Sequence, residues 1–353
     1  MAWSCGIVGL PNAGKSTLFK ALTALDITIE SYPFSTINPN KAVVSLPDQR
    51  LNALAELSNA GKITPATIDI FDVAGLVEGA SRGEGLGNQF LGHLRDVDLL
   101  IHVVGGFEEI GEDLLAPEAK ISVVNLELIL ADLEVLSRRR QKLEPKLKSG
   151  EKAARKELNL LSRLEEFLNQ GCPLRNLNLS REELSALSEL PLLTLKEMIY
   201  VYNLPDDLFV EPDISFFPSN SPVISMSARL EAELADLPSE ERKPFMEAYG
   251  LEKSRNEELL QACYDHLKLL TFYTIKGDEA RAWVVPSGIK AVEAAGKIHS
   301  DMASGFINAE IINWSTLLEE GSLAKAREKG ICRIEGRDYL VKDGDVLFFR
   351  FRN

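Results

Sequence analysis

Gly9-Leu-Pro-Asn-Ala-Gly-Lys-Ser16 has the spacing G-x-x-x-x-G-K-[ST], and it lies between an apolar strand-like run, "CGIVGL", and a helical pattern beginning near Lys15. A loop of this kind wraps phosphate oxygens in backbone N–H groups, while its lysine reaches the β and γ oxygens and the following hydroxyl binds Mg2+. Asn12, Ala13, Gly14, Lys15, Ser16 and Thr17 are therefore the expected phosphate-binding positions. Glycine is needed at 9 and 14 because a side chain would block so close an approach.

Two further stretches stand where a switch-bearing nucleotidase requires them. "YPFSTINPN" supplies Thr36, whose hydroxyl and backbone can meet Mg2+ and the γ-phosphate, and "DVAG", Asp72 to Gly75, ends a strand with a carboxylate for the metal's water shell. Lys15, Thr36 and Gly75 are read as the catalytic set, and Ser16, Thr36 and Asp72 as the metal set. The glycine-rich "GASRGEGLGNQF" that follows suits a segment that orders and disorders with the γ-phosphate. Leu76 takes the place where Ras-like enzymes carry the glutamine that orients the attacking water, so intrinsic hydrolysis is expected to be slow. Asn12 is the candidate for holding a monovalent cation, K+, at the phosphates, as an asparagine does at this position in some GTPases that also lack the glutamine.

Base recognition is expected from "YVYNLPDDL". Many GTP-binding proteins read guanine with Asn-Lys-x-Asp after a strand; here Asn203 and Asp206 keep the first and last positions, and Leu204 replaces the lysine. The Asp206 carboxylate could accept from guanine N1–H and N2–H2, a pair of donors that adenine lacks. Pro205 could also turn it away. "SMSARL" places Ser227 and Ala228 where a loop touches the base through backbone N–H groups.

These residues need a frame that brings strand ends together. The first 125 residues alternate strand-like runs, "CGIVGL", "TIDIFDVAG" and "DLLIHVVGG", with helical patterns and glycine-bearing turns, which indicates a parallel α/β sheet with ligands at the carboxyl ends of its strands. From about Val124 to Glu189 the pattern becomes helical and highly charged, with a break near Ser149-Gly150, and reads as two antiparallel helices inserted into the α/β domain. Its basic run, Arg138 to Arg140, is either a solvated helix face or a partner surface. After Leu270 short strand-like runs and one helix near Ala291 to Asp301 indicate a compact α+β domain. The expected domains are 1–124 with 190–270, 125–189, and 271–353.

Composition narrows the class. The 353 residues are 45% hydrophobic and carry a formal net charge of -14, which argues against indiscriminate coating of nucleic acid and leaves room for a local basic face. Cys5, Cys172, Cys263 and Cys332 show no C-x-x-C spacing, so neither a zinc site nor a disulfide framework is indicated. No basic leader precedes the first strand-like run, and no apolar run reaches the roughly 18 residues of a membrane span. A cytoplasmic location is expected.

Taken together, "GLPNAGKST", "YPFSTINPN", "DVAGLVEGASRGEGLGNQFL", the inserted hairpin, "AAGKIHSDMASGFINAE" and "DYLVKDGDV" resemble the YchF family of Obg-related P-loop NTPases, over nearly the whole chain. The resemblance implies a G domain with a coiled-coil-like helical insertion, a β-grasp-like C-terminal TGS domain, ATP hydrolysis often preferred to GTP, and association with the ribosome, through the large subunit or the whole particle. Members usually have Asn-x-x-Glu where this chain has Asn203-Leu-Pro-Asp206. Some members have a proposed catalytic histidine in the loop after the "HVV" strand; here that loop, "GGFEEIGEDLLAPEAKIS", has none. His102 lies in the strand and is read as structural, and His93 as a partly buried helical residue beside the switch.

Three functions compete. The first is a Mg2+-dependent nucleotidase switch that binds the ribosome and uses ATP, with relaxed purine selectivity. The second is a nucleotide-gated RNA-binding or regulatory protein whose hydrolysis is incidental; the third, a small-molecule kinase, lacks an acceptor motif. Lys342, Arg350 and Arg352 beside Tyr339, Phe348 and Phe349 are either an RNA surface or charges flanking core aromatics. Neither a membrane nor DNA is expected as a partner.

Overall fold

The computed structural model describes residues 3–24, 41–72, 86–107, 115–148, 151–206 and 212–352. In chain order the strands are β1 (Trp3–Val8), β2 (Lys41–Ser45), β3 (Lys62–Thr64), β4 (Thr67–Asp72), β5 (Leu99–Gly105), β6 (Glu197–Asn203), β7 (Val223–Met226), β8 (Leu269–Lys276), β9 (Glu279–Pro286), β10 (Phe306–Asn313), β11 (Arg333–Glu335) and β12 (Asp345–Phe351). They form two six-stranded sheets, ordered β2-β4-β1-β5-β6-β7 and β11-β10-β12-β8-β9-β3. The chain divides into two compact units, Met1–Val43 with Asp69–Leu259, and Val44–Ile68 with Leu260–Asn353.

In the first unit β1, β5, β6 and β7 run parallel, and the register aligns Gly105 with Asn203 and Asn203 with Met226. The carboxyl ends of these strands therefore reach one edge, where ligands bind in such sheets. β5 is buried at every position, as a central parallel strand covered on both faces must be, and its sequence LLIHVVG is accordingly apolar apart from His102. The first helices in chain order are α1 (Lys15–Ala24), α2 (Gln49–Ser58), α3 (Leu86–Arg95) and α4 (Pro117–Lys148), of which α2 belongs to the second unit. Leu91 and Leu94 of α3 and Val124, Leu128 and Ala131 of α4 bury against Leu100, Val104, Met198 and Tyr200 of the sheet.

α4 then leaves that core and pairs with α5 (Lys152–Asn169). Ile129, Leu136 and Leu143 recur every seven residues on α4 and meet Leu161, Leu164 and Leu168 of α5 in a separate apolar seam. Arg139 bonds Glu157 at 2.6 Å and Arg140 bonds Glu165 at 3.0 Å across the hairpin, and Arg138 pairs with Glu134 on its own helix. The basic run is thus engaged in ion pairs of the hairpin itself. Its return is fixed by Asp132, fully buried, which accepts from the Leu193 and Thr194 amides at 2.8 Å each and from the Thr194 hydroxyl at 2.6 Å.

The second unit is built on an antiparallel hairpin, β8 with β9, turning at Gly277, whose φ of 61° lies in the left-handed region. β12 runs parallel to β8 and antiparallel to β10. In chain order α6 (Arg181–Leu187), α7 (Ala228–Asp236) and α8 (Ser239–Ala248) belong to the first unit, α9 (Arg255–His266) spans the boundary at Leu259 and Leu260, and α10 (Ala291–Ile298) belongs to the second; α10 buries Ala291, Ala294 and Ala295 on this sheet against Phe272, Val285, Ile311 and Leu347.

The sequence reading kept residues 44–68 with the nucleotide-binding domain, whereas their contacts group them with the C-terminal unit. β3 adds to the sheet edge in parallel with β9, Thr64 Oγ1 donates to Glu279 at 2.6 Å, and Asp48, the N-cap of α2, also accepts from the Tyr273 hydroxyl. A three-residue strand has too little pattern to be recognised, and these partners lie more than 200 positions away in sequence.

Candidate functional site

The turn after β1 has the backbone that its sequence demands. Asn12 and Gly14 take left-handed φ of 60° and 93°. A Cβ at Gly14 would lie 2.0 Å from Asn203 Nδ2, and one at Gly9 would lie 2.4 Å from the Val103 carbonyl oxygen, so neither site has room for a side chain. Ala13 is buried, while Asn12, Ser16 and Thr17 are exposed around the start of α1. The unpaired amides of a helix N-terminus favour an anion there.

Lys15 is only 6% exposed, and its Nζ donates to the Leu10 carbonyl at 2.6 Å, closing the loop on itself. Burial pushes its pKa down, and the charge of Asp72 opposes that shift. Asp72 ends β4, the neighbour of β1 in the sheet, and its Oδ1 is buried with no hydrogen-bond partner among the described residues. An ammonium held in a low-dielectric loop and an unsatisfied carboxylate oxygen are the groups that a polyphosphate and a hard cation would satisfy.

Asn203 links this loop to the rest of the sheet. Its Nδ2 donates to the Ala13 carbonyl at 3.0 Å and its Oδ1 accepts from the Ala228 amide at 2.9 Å, in a position only 5% exposed. The Ala228 N–H, expected to face the base, is therefore used by Asn203. Asp206 Oδ1 accepts from the Ser227 hydroxyl, and Asp206 Oδ2 lies 3.5 Å from Arg229 Nε. Asp206 thus contacts the residues that open α7. Leu204, in the place of the lysine, packs against the same apolar cluster as Leu10 of the loop.

Thr36, Gly75, Leu76 and residues 108–114 of the loop after β5 lie outside the described residues. His102 is 1% exposed, its ring tilted 40° against that of Tyr200 with the centroids 5.3 Å apart, and desolvation lowers its pKa to about 3; it stays neutral at physiological pH, as befits a core residue. His93 is exposed in the last turn of α3 and not partly buried as expected, because it falls between the inward-facing Leu91 and Leu94. Phe349 packs edge-on against Phe272 and Phe306, and Tyr339 donates to Asp345 at 2.9 Å, so two of the aromatics proposed for RNA are engaged in the C-terminal core.

Two residues at the site had no motif to reveal them. Lys120, on the first turn of α4, donates to the Gly105 carbonyl at 2.8 Å, and a Cβ on Gly105 would be 3.6 Å from the Ala13 Cα. Arg229 reads in sequence as an ordinary helix-surface partner of Glu233, to which it does bond at 3.2 Å.

Over 364 aligned residues the chain is 42% identical to the Ribosome-binding ATPase YchF of Bacillus subtilis, covering 99% of this chain and 100% of that one. The chain belongs to the YchF family. The Ribosome-binding ATPase YchF of Escherichia coli O157:H7 is likewise 42% identical, with 99% of each chain covered. The solved structure of the Schizosaccharomyces pombe YchF GTPase superposes with a TM-score of 0.88 at 31% identity, covering 99% of this chain and 97% of that one. A family model described as 50S ribosome-binding GTPase matches residues 4–135, and the YchF GTPase C-terminal model, described as a protein of unknown function, matches residues 269–352. The YchF match thus spans both the phosphate-loop sheet and the C-terminal sheet, with P-loop geometry in the first.

For this YchF family member, Ser16 and Asp72 supply oxygen donors only, a set that fits a hard divalent ion better than a soft one. Among the described residues no helix is long and apolar enough to cross a membrane, and no group of three or more His, Cys, Asp and Glu residues could hold a metal alone.

Proposed function

We propose that this YchF family chain is a Mg2+-dependent P-loop NTPase that hydrolyses ATP, and GTP as a second purine, and acts as a nucleotide-dependent switch on the ribosome. The observation that supports this most is the closed phosphate loop: Lys15 folded onto the Leu10 carbonyl, with Asp72 as its nearby countercharge. Relatives named Ribosome-binding ATPase YchF at 42% identity support the ribosome as partner and ATP as substrate. A cytoplasmic location accompanies that role.

On this reading Lys15 leaves the Leu10 carbonyl for the β and γ oxygens when nucleotide enters, and the loop amides of residues 12–17 take the remaining phosphate oxygens. Ser16, Thr36 and Asp72 would hold Mg2+, which when bound would supply charge neutralisation at the phosphates. Gly75 would offer its backbone to the γ-phosphate, and Asn12 would be the residue to hold K+, since the Leu76 side chain is unable to orient water. Asn203, Asp206, Ser227 and Ala228 form the base end of the site. The domains proposed are a G domain over 1–124 and 190–270, a helical domain over 125–189 and a TGS domain over 271–353, with residues 44–68 attached to the last by their contacts.

Multiple-turnover phosphate release tests this reading, with purified ribosomes present or absent and with K+ exchanged for Na+. Slow, Lys15-dependent release from ATP that ribosomes accelerate is the expected result. Release that persists in Lys15→Ala, or none under any condition, would remove the enzyme reading and leave a nucleotide-gated binding protein. Equal rates in K+ and Na+ would remove the cation role of Asn12.

A further inference from the structure

The Asp206 carboxylate is held in one orientation. Ser227 caps α7 by accepting from the Leu230 amide at 3.2 Å, and it donates to Asp206 Oδ1. A hydroxyl has one proton, so the capping role fixes Ser227 as acceptor toward the helix and donor toward Asp206. The second carboxylate oxygen, Oδ2, faces Arg229 Nε at 3.5 Å, and the same Nε lies 3.2 Å from Glu233. Arg229 is two residues beyond Ser227, on the first turn of the helix that Asn203 ties to the phosphate loop.

This arrangement changes what a base would meet. A lone carboxylate presents two acceptors, which match the N1–H and N2–H2 donors of guanine. An ionised carboxylate keeps free lone pairs after one hydrogen bond, so Oδ1 still accepts beside Ser227, while the guanidinium 3.5 Å from Oδ2, its Nε bonded to Glu233, sets its terminal N–H donors next to that acceptor. That is the complement of adenine, whose N6–H2 donates and whose N1 accepts, and it sets a cation's N–H groups against one of guanine's two donors.

We propose that Arg229 is the residue that sets purine choice in this chain, by pairing with Asp206 so that their joint edge accepts from adenine N6 and donates to adenine N1. The proposal rests on the reading that a nucleotide occupies the phosphate loop with its base over Asp206.

Competition of ATP and GTP against a fluorescent ADP analogue, with Mg2+ in excess, gives the ratio of the two dissociation constants for the wild type and its variants. Arg229 is 73% exposed, so Arg229→Ala is expected to fold. It should move the ratio toward GTP by roughly tenfold. Arg229→Lys, which keeps a donor, should hold most of the wild-type ratio. Asp206→Ala added to Arg229→Ala should return the ratio to within about twofold of unity, since no directional group then remains. A ratio that changes less than twofold in Arg229→Ala, while both nucleotides still bind, overturns the proposal and leaves the nucleotide reading intact. No binding by the wild type, or binding that Lys15→Ala does not weaken, overturns both.

Discussion

Replacing Asn203 with alanine breaks the link between the phosphate loop and α7 at one atom group. The amide bonds the Ala13 carbonyl at 3.0 Å and the Ala228 amide at 2.9 Å, and the two partners are 4% and 0% exposed. Water cannot readily replace either bond, so each abandoned group costs about 1–3 kcal/mol, and the pair about 2–4 kcal/mol after partial relaxation. The loss should appear as a fall in melting temperature of about 5 °C without nucleotide, read by circular dichroism. It should also raise the nucleotide dissociation constant roughly tenfold, because Ala13 is then free to leave the conformation proposed to line the phosphates. Gly14→Ala should be similarly damaging, since its Cβ would sit 2.0 Å from Asn203 Nδ2, and the double variant should cost less than the sum because the clashing atom is gone. A melting temperature within 1 °C of wild type and unchanged nucleotide affinity in Asn203→Ala would refute the view that this side chain organises the site.

Other parts of the molecule give independent expectations. Asp132→Ala should destabilise the first unit by about 3 kcal/mol in denaturant unfolding, because it strands the buried Leu193 and Thr194 amides. His102 has a native pKa of about 3 against an ordinary 6.5, so the unfolded chain gains a proton below 6.5 that the native one refuses, and stability falls as pH falls. His102→Phe should therefore lose about 1.4 kcal/mol less than wild type between pH ~7.5 and ~5.5, and should leave the shape of the pH profile of turnover unchanged. The Arg327 guanidinium, bonded to both oxygens of Glu310 at 2.8 and 2.7 Å, holds that carboxyl below its ordinary 4.5. The stability this supplies is present above 4.5 and lost as pH falls below it. Glu310→Gln should cost about 1–2 kcal/mol at pH ~7, less than a fully buried pair because Arg327 is half-exposed, and the difference should shrink at pH ~3.5.

The phosphate loop was legible because its chemistry requires a fixed spacing: glycines at 9 and 14 where a Cβ has no space, a lysine at 15 and hydroxyls after it. The parallel sheet and the helical insertion were legible from period and charge, since β5 is an unbroken apolar run and α4 repeats its apolar residues every seven. The sequence does not reveal what depends on long-range geometry. Ala228 looks like a base-contacting amide until Asn203 is found to accept from it. Arg229 looks like half of a surface i,i+4 pair until Asp206 arrives from the turn after β6. His93 was placed partly inside because a helical pattern fixes the apolar stripe more firmly than the position of a residue beside it. The short β3 has no period to read, and its attachment to β9 needs hydrogen bonds formed across most of the chain.

The central claim is that the closed loop around Lys15 is a nucleotide site. Calorimetric titration of the purified chain with ATP in excess Mg2+ tests it most directly, with Lys15→Ala as the comparison and circular dichroism to verify that both are folded. One saturable site per chain that is lost or weakened at least tenfold in Lys15→Ala is the predicted result. Absence of binding by the wild type, or equal affinity in the two proteins, would contradict it.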